Sequence, residues 1–470
     1  MKSCWLIFIL AILGHSVSEA QYISEVMEYV PAPGQLINTA PWGSPAGARS
    51  IEGSVEGTLS LGAFGGYVIF RFKDPVENDP SNPFGVDFTI FGNPVVNWAE
   101  PGVVWVMKDE NENGIADDTW FELAGSDYMF TSTKRGQRVT YYNPGGDESQ
   151  DISWEDILGN SGWIRTNSAH SQPYYPLADS FPSIPQEMYQ LNGSQIEGLV
   201  FENSGMKSIE RAFGYADNHL RGSAPYTLPD NPYTREVENS GGDAFDIGWA
   251  VDSTGHYVDL DRIHYIKVQC GILDDGGILG EISTEITGAL DVPPDPSVTG
   301  ETEMVVIRDL PPRLEVGEYQ LEVFIYHNGR IREDGSVYWT ITGSGATVDD
   351  HQILSVTEEG PLTLTATLSD RPDISATVST VVQLKQTGGL PGNISGDEPL
   401  LYPNPVWDHF KIRGTHNSSL VVYNSSGKAL IRMDHYTNET TVDLNGYPEG
   451  IYLVRIGGDD SVEWFKIIKQ

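Results

Sequence analysis

The stretch GVVWVMKDENENGIADDTWFEL, Gly102 to Leu123, decides how the rest of the chain is read. It opens on the apolar, β-branched run Gly102 to Met107 and closes on Trp120 and Phe121. Between them Asp109, Glu110, Glu112, Asp117 and Asp118 crowd around Asn113-Gly114. β-Branched and aromatic runs bounded by turn residues are strand signals, and Asn-Gly between two of them marks a hairpin. The stretch is therefore two strands joined by an acidic loop. The runs YVIFRF (Tyr67 to Phe72), DFTIFG (Asp87 to Gly92) and HYIKVQC (His264 to Cys270) are of the same kind. Amphipathic helices are scarce, and 50 Gly with 29 Pro suit a turn-rich protein. The expected fold class is all-β. Gln21 to Val292 forms a large β-sandwich or jelly-roll head.

The loop has the oxygen spacing of a calcium site. Set against an EF-hand, Asp109 falls at the first ligand position, Asn111 at the third, Asn113 at the fifth and Asp117 at the ninth. Gly114 sits at the sharp bend, and the carbonyl of Ile115 falls at the seventh. Calcium takes about six to eight such oxygens. The twelfth position, where a bidentate Glu belongs, is Trp120, so Asp118 or Glu122 would have to stand in. The flanks are strands, and the expectation is a calcium-binding hairpin loop with a structural ion. The plainer reading is a solvated acidic turn.

Charge narrows the partners. Asp and Glu number 66 against 28 Lys and Arg, a formal net charge of -38. Nucleic acid and anionic membrane would be repelled. The hydrophobic content of 39% and aromatic content of 10% argue against disorder. Residues 1–20, with Lys2, the apolar run from Cys4 to Leu13, and Ser18 and Ala20, read as a signal peptide cut after Ala20. The run is too short to span a membrane, and no direct membrane insertion is expected. After cleavage Cys270 is the one thiol, so no intramolecular disulfide forms.

Beyond the head, residues 293–300 are a proline-rich linker. Residues 301–384 carry short alternating strands. LTLTATL puts Leu362, Leu364, Ala366 and Leu368 on one face, and Trp339 is the expected core anchor. This segment resembles bacterial Ig-like domains and is read as a spacer. Residues 385–399 form a second linker. In the last module, 400–470, Tyr402-Pro403-Asn404-Pro405, a turn before Gly427-Lys428, Gly450-Ile451-Tyr452-Leu453-Val454 and the closing Lys466 to Lys469 follow in order. It resembles the C-terminal sorting domain of cargo of the type IX secretion system of the Bacteroidetes. That resemblance implies a small β-sandwich, export across the outer membrane by the type IX machinery, and display at the cell surface or release.

The head also resembles a family of secreted Bacteroidetes surface proteins. The segments that carry the likeness are GGYVIFRF, DFTIFGNP, EPGVVWVMKDENENGIADDTWFELAGSDY, YADNH, DIGWAVD and GEISTEITGA. The resemblance associates it with surface cobalamin capture and so with a corrinoid ligand, through no particular residue.

Three segments mix aromatic with polar side chains: GNSGWIRTNSAHSQPYYPL, FGYADNH and GGDAFDIGWAVD. Rings beside Asp, Asn and His are the makings of a polar-ring or sugar site. The expected ligand residues are Trp163, His170, Tyr174, Tyr175, Asp217, Asn218, His219 and Trp249. Each is equally at home as a core or loop residue. There is no HExxH, no His/Cys cluster and no Gly-x-Ser-x-Gly elbow, which leaves zinc and serine chemistry without a motif. The chain is thus read as a secreted, surface-displayed binding protein for a small molecule or glycan, with no catalytic residue assigned. The alternatives are a glycan-degrading hydrolase and a structural or adhesive surface protein.

Overall fold

Alternation along each strand decides which side chains face inward, and in this chain the inward sets fall into several cores. The computed structural model describes residues 21–470 except 80–81, 96–97, 147, 199, 203–204, 209, 220–241, 277–278, 292–300, 344, 385–399, 403–405, 407, 414–418, 425–427, 438–439, 449, 458–461 and 470. The signal peptide, both linkers and Pro403-Asn404-Pro405 of the sorting motif lie outside the described residues. Strands account for 47% of the chain and helix for 3%, so the protein is all-β.

The opening hairpin forms as its pattern predicts: Gly102–Met107 pairs antiparallel with Trp120–Leu123, Trp105 opposite Glu122 and Met107 opposite Trp120. It lies within a sheet ordered Ala250–Val251, Trp120–Leu123, Gly102–Met107, Tyr265–Cys270, Tyr67–Arg71, Glu25–Val30. One face of that sheet, with Val68, Phe70, Val104, Val106, Ile266 and Val268, is buried. It packs on a second sheet of Gln21–Tyr22, Gly288–Asp291, Phe88–Phe91 and Gly242–Phe245. Phe88 and Phe245 pair across neighbouring strands of the second sheet, their rings stacked with centroids 5.2 Å apart. The head is therefore a β-sandwich.

A third sheet runs Ser161–Ile164, Ile152–Asp156, Lys134–Tyr142, Met188–Gln195. Its inner side, with Val139, Tyr141, Ile152, Ile164, Tyr189 and Leu191, closes a separate core around Phe64, Tyr174, Tyr175 and Phe181. Buried phenols need partners. Tyr141 donates to the Phe64 carbonyl at 2.8 Å and Tyr189 to the Pro31 carbonyl at 2.7 Å.

The Ig-like segment has its own core, into which Leu362, Leu364, Ala366 and Leu368 all point. Trp339 packs against it half-buried, its indole N–H donating to Gln352 Oε1 at 2.6 Å. The run Tyr319 to Tyr326, whose alternation is loose, breaks at Leu321-Glu322 into two strands of different sheets. The strand Glu303–Ile307 explains how this segment meets the head. Met304 and Val306 enter the head core, whereas Val305 and Ile307 enter the Ig-like core. A strand buried on both faces is a continuous apolar run, as EMVVI is. The junction is also hydrogen-bonded: Trp249 Nε1 donates to the Asn328 carbonyl at 2.7 Å and Tyr326 Oη to the Ser126 carbonyl at 3.0 Å. The spacer is thus docked on the head, and residues up to Lys385 form one compact unit.

The second unit begins at Gln386. It has sheets Leu400–Tyr402, His409–Arg413, Thr440–Asp443 and Ala429–Met433, Ser419–Asn424, Gly450–Gly457, Val462–Lys469. Phe410, Leu420, Val422, Val442, Tyr452 and Val454 fill its interior.

Candidate functional site

The acidic loop is organised by its own side-chain oxygens. Asp109, buried beside the sheet, accepts from the amides of Asn113 at 3.1 Å and Gly114 at 2.8 Å. Asn111 Oδ1 accepts from Asn113 N at 3.0 Å, and Asn113 Oδ1 from Ile115 N at 2.7 Å. Asp118 takes the Glu110 amide at 3.0 Å, and Asp117 the Asn113 side-chain amide at 3.2 Å. Gly114 sits at φ +74°, a conformation few side chains tolerate. The Ile115 carbonyl accepts from Asp117 N at 2.9 Å. Each of these oxygens keeps a lone pair beyond the one its amide uses. The set is all hard oxygen, which suits calcium.

The eight expected ligand residues do not converge on one site. Trp249 is fully buried, its ring edge-on to Phe213 at 5.1 Å and its N–H spent on the Ig-like segment. Tyr174 and Tyr175 are likewise core side chains, Tyr175 donating to the Pro185 carbonyl at 2.6 Å. These three rings offer no face to a ligand: their apolar area goes into cores, and an aromatic beside polar neighbours is as characteristic of a folded-in loop as of a binding surface. Asp217 and Asn218 are also buried. Asn218 bonds back to Arg211, accepting its amide at 2.7 Å and donating to its carbonyl at 2.9 Å. His219 Nδ1 lies 3.0 Å from Asp243, which also accepts the amides of Asn218 and His219. His170 lies half-buried in a loop. Trp163 is 52% exposed.

Asp217 belongs instead to a buried carboxylate cluster. Ligand oxygens of Glu100, Asp217 and Glu285 lie within 4.8 Å of one another, a grouping unique among the described residues. Asp217 holds φ +57° and accepts from Asn93 N and Glu285 N, both at 2.8 Å. Gly92 permits this approach, since a Cβ there would stand 2.2 Å from Asp217 Oδ1. Burial pushes all three acids above the ordinary carboxylate range; Glu100 raises both partners further, and Glu285 donates a hydrogen bond to it. Nearby Glu281 is pushed up to about 8, by burial first. Carboxyl groups gathered this closely away from water stay uncharged or share a cation. Glu100 and Glu285 were missed because one acid among 66 carries no signal until the fold gathers it.

A cleft of about 730 Å³ opens along the junction, lined in part by Asp246, Asp259, Glu303, His327 and Arg330. Both of its arginines are engaged. Arg332 pairs with Glu303, Asp334 and Asp370, and Arg330 stacks 4.4 Å from the Tyr257 ring centroid.

Among the described residues, exposed large hydrophobic side chains concentrate on the solvent side of the third sheet. Five of the fourteen exposed large hydrophobic side chains of the described residues lie on it or its turn: Tyr142, Ile157, Leu158, Trp163 and Met188. Register puts three of them in one row. Trp163 is opposite Ser153, Ser153 opposite Tyr142, and Tyr142 opposite Met188. The next row on the same face is wholly polar: Ser161, Glu155, Thr140 and Gln190. Gln190 donates to Thr140 Oγ1 at 3.3 Å and Tyr142 Oη to Glu155 at 3.4 Å.

Residues 400–470 match the family model described as a secretion system C-terminal sorting domain. The chain is a type IX secretion cargo. Its destination is the cell surface or the extracellular space. No helix among the described residues is long and apolar enough to cross a membrane. No curated protein matches this cargo significantly. Among solved structures, the titin Ig tandem A164-A165 matches at 16% identity over 36% of this chain and 97% of its own, TM-score 0.14. The extracellular domains 3-5 of Drosophila OTK match at 9% over 84% and 99%, TM-score 0.18. The Escherichia coli adhesin FdeC matches at 11% over 47% and 80%, TM-score 0.14. These scores transfer no function. Neither they nor the fold support the corrinoid association.

Proposed function

We propose that this type IX cargo is a non-catalytic binding protein displayed at the cell surface, capturing a small molecule or glycan on the solvent side of its third sheet. The observation that carries the reading is the row Trp163, Ser153, Tyr142, Met188 lying beside a wholly polar row. Aromatic area left in water beside hydrogen-bonding groups is what a polar ring ligand requires. Of the residues expected from sequence to bind, Trp163 stays in this role. The calcium assigned to Asp109, Asn111, Asn113, Ile115, Asp117 and Asp118 is structural: it ties the hairpin loop and does not touch the ligand. The donor chemistry of that loop supports it.

The test is a glycan array and a small-molecule panel probed with the full chain, wild type against Trp163→Ala and Tyr142→Ala. Both side chains face solvent from strands, so each variant folds, losing about 1 kcal/mol of stability or less. Binding of at least one panel member, weakened in both variants, is the expected result. Binding that neither substitution alters moves the site elsewhere and overturns the reading.

A further inference from the structure

We propose that the ligand of this face is a linear, uncharged polysaccharide lying across the strands, along the row from Trp163 to Met188. The inference rests on the binding reading above and specifies its ligand class.

The row runs perpendicular to the strands, because register pairs its members across neighbouring strands rather than along one. Trp163 and Tyr142 stand two strand spacings apart, about 9.6 Å at ~4.8 Å per step. Between them is Ser153, a small side chain that blocks neither ring. A single sugar ring cannot rest on both aromatics at that separation. A chain of linked rings can, with one sugar over each aromatic and the intervening unit over Ser153. Met188, 51% exposed and one strand beyond Tyr142, extends the apolar track.

The neighbouring row completes the match. Ser161, Glu155, Thr140 and Gln190 present hydroxyl, carboxylate and amide groups in step with the aromatic row. A sugar offers apolar C–H faces to the rings and a rim of hydroxyls to such groups. The row ends on an edge strand of the sheet at either side, Trp163 at one and Met188 at the other, as a polymer that continues past both requires. Charge selects the neutral class. With a net charge of -38 and Glu155 beside the row, a polyanionic glycan would be repelled before it reached the face.

The experiment is titration of the full-length chain with neutral β-linked gluco-, xylo- and manno-oligosaccharides, from the disaccharide to the hexasaccharide. A parallel series uses uronic-acid oligosaccharides, and light scattering follows the oligomeric state. At least one neutral series is expected to gain on the order of tenfold in affinity once the oligomer spans both rings. Trp163→Ala and Tyr142→Ala each remove that gain while the protein keeps a cooperative unfolding transition. Affinity that depends on Trp163 but not on chain length overturns the polymer inference and leaves the binding reading intact. Preference for the uronic-acid series overturns the neutral class. A dimer that Trp163→Ala dissolves makes the face a contact between copies and overturns both. No binding to any series, here or on the array, also overturns both.

Discussion

Replacing Glu281 by Gln removes one part of the stability loss that the head undergoes as pH rises. The side chain is 1% exposed. Its Oε1 accepts the Gln35 amide at 2.8 Å, and Oε2 has no hydrogen-bond partner among the described residues. Burial, then Glu100 and Asp275, raise its pKa from the ordinary 4.5 to about 8. The folded state therefore keeps a proton that the unfolded chain releases. The sign follows: stability from this group is complete below pH 4.5, declines as pH rises, and is exhausted above about 8. Each pH step in that window costs about 1.4 kcal/mol, so the loss at pH 7 is about 3 kcal/mol. Gln is neutral throughout, can accept the Gln35 amide, and does not incur this loss. Denaturant unfolding of both proteins, followed by tryptophan fluorescence at a fixed calcium concentration, measures the difference. The variant should match the wild type at acid pH and exceed it by about 3 kcal/mol at pH 7. A difference that stays constant across the window would refute a buried, protonated Glu281.

Other consequences follow from particular contacts. Trp249→Phe strands the Asn328 carbonyl, which should cost about 1–3 kcal/mol and shift the unfolding of head and Ig-like segment together; two separate transitions with only one displaced would contradict the shared core. Chelating calcium should lower the melting temperature of the wild type and leave that of Asp109→Ala unmoved; a wild type indifferent to chelator reduces the loop to an acidic turn. Cys270 is 1% exposed with its thiol pushed up to about 11, so it should resist thiol reagents at neutral pH until the chain is unfolded. Rapid labelling of the native protein would show that its strand opens locally.

Local sequence is informative wherever the structure it specifies is itself local. The hairpin of Gly102 to Leu123 was legible because each of its parts is local: two β-branched or aromatic runs, a tip, and carboxylates spaced by neighbours in the chain. LTLTATL announced its inner face for the same reason, since period two survives any tertiary context that buries one side. The sorting domain was legible as an ordered series of short motifs within seventy residues or so. The binding surface was not. Trp163 and Trp249 look alike in sequence, each beside Gly and within reach of polar residues, yet one faces water and the other fills a core.

All-β class, the sorting domain and the acidic hairpin loop could be inferred from residues close together in the chain, because strand pattern, sorting motifs and turn chemistry are properties of short segments. Which aromatics stay in water, which acids are gathered into the interior, and that the Ig-like segment docks on the head were decided only by tertiary structure. Glu100, Asp217 and Glu285 lie far apart in sequence, as do Tyr142, Trp163 and Met188 in the row they share. Strand register between distant segments brings each set together. Register depends on how whole sheets bury their faces, and no local window contains it.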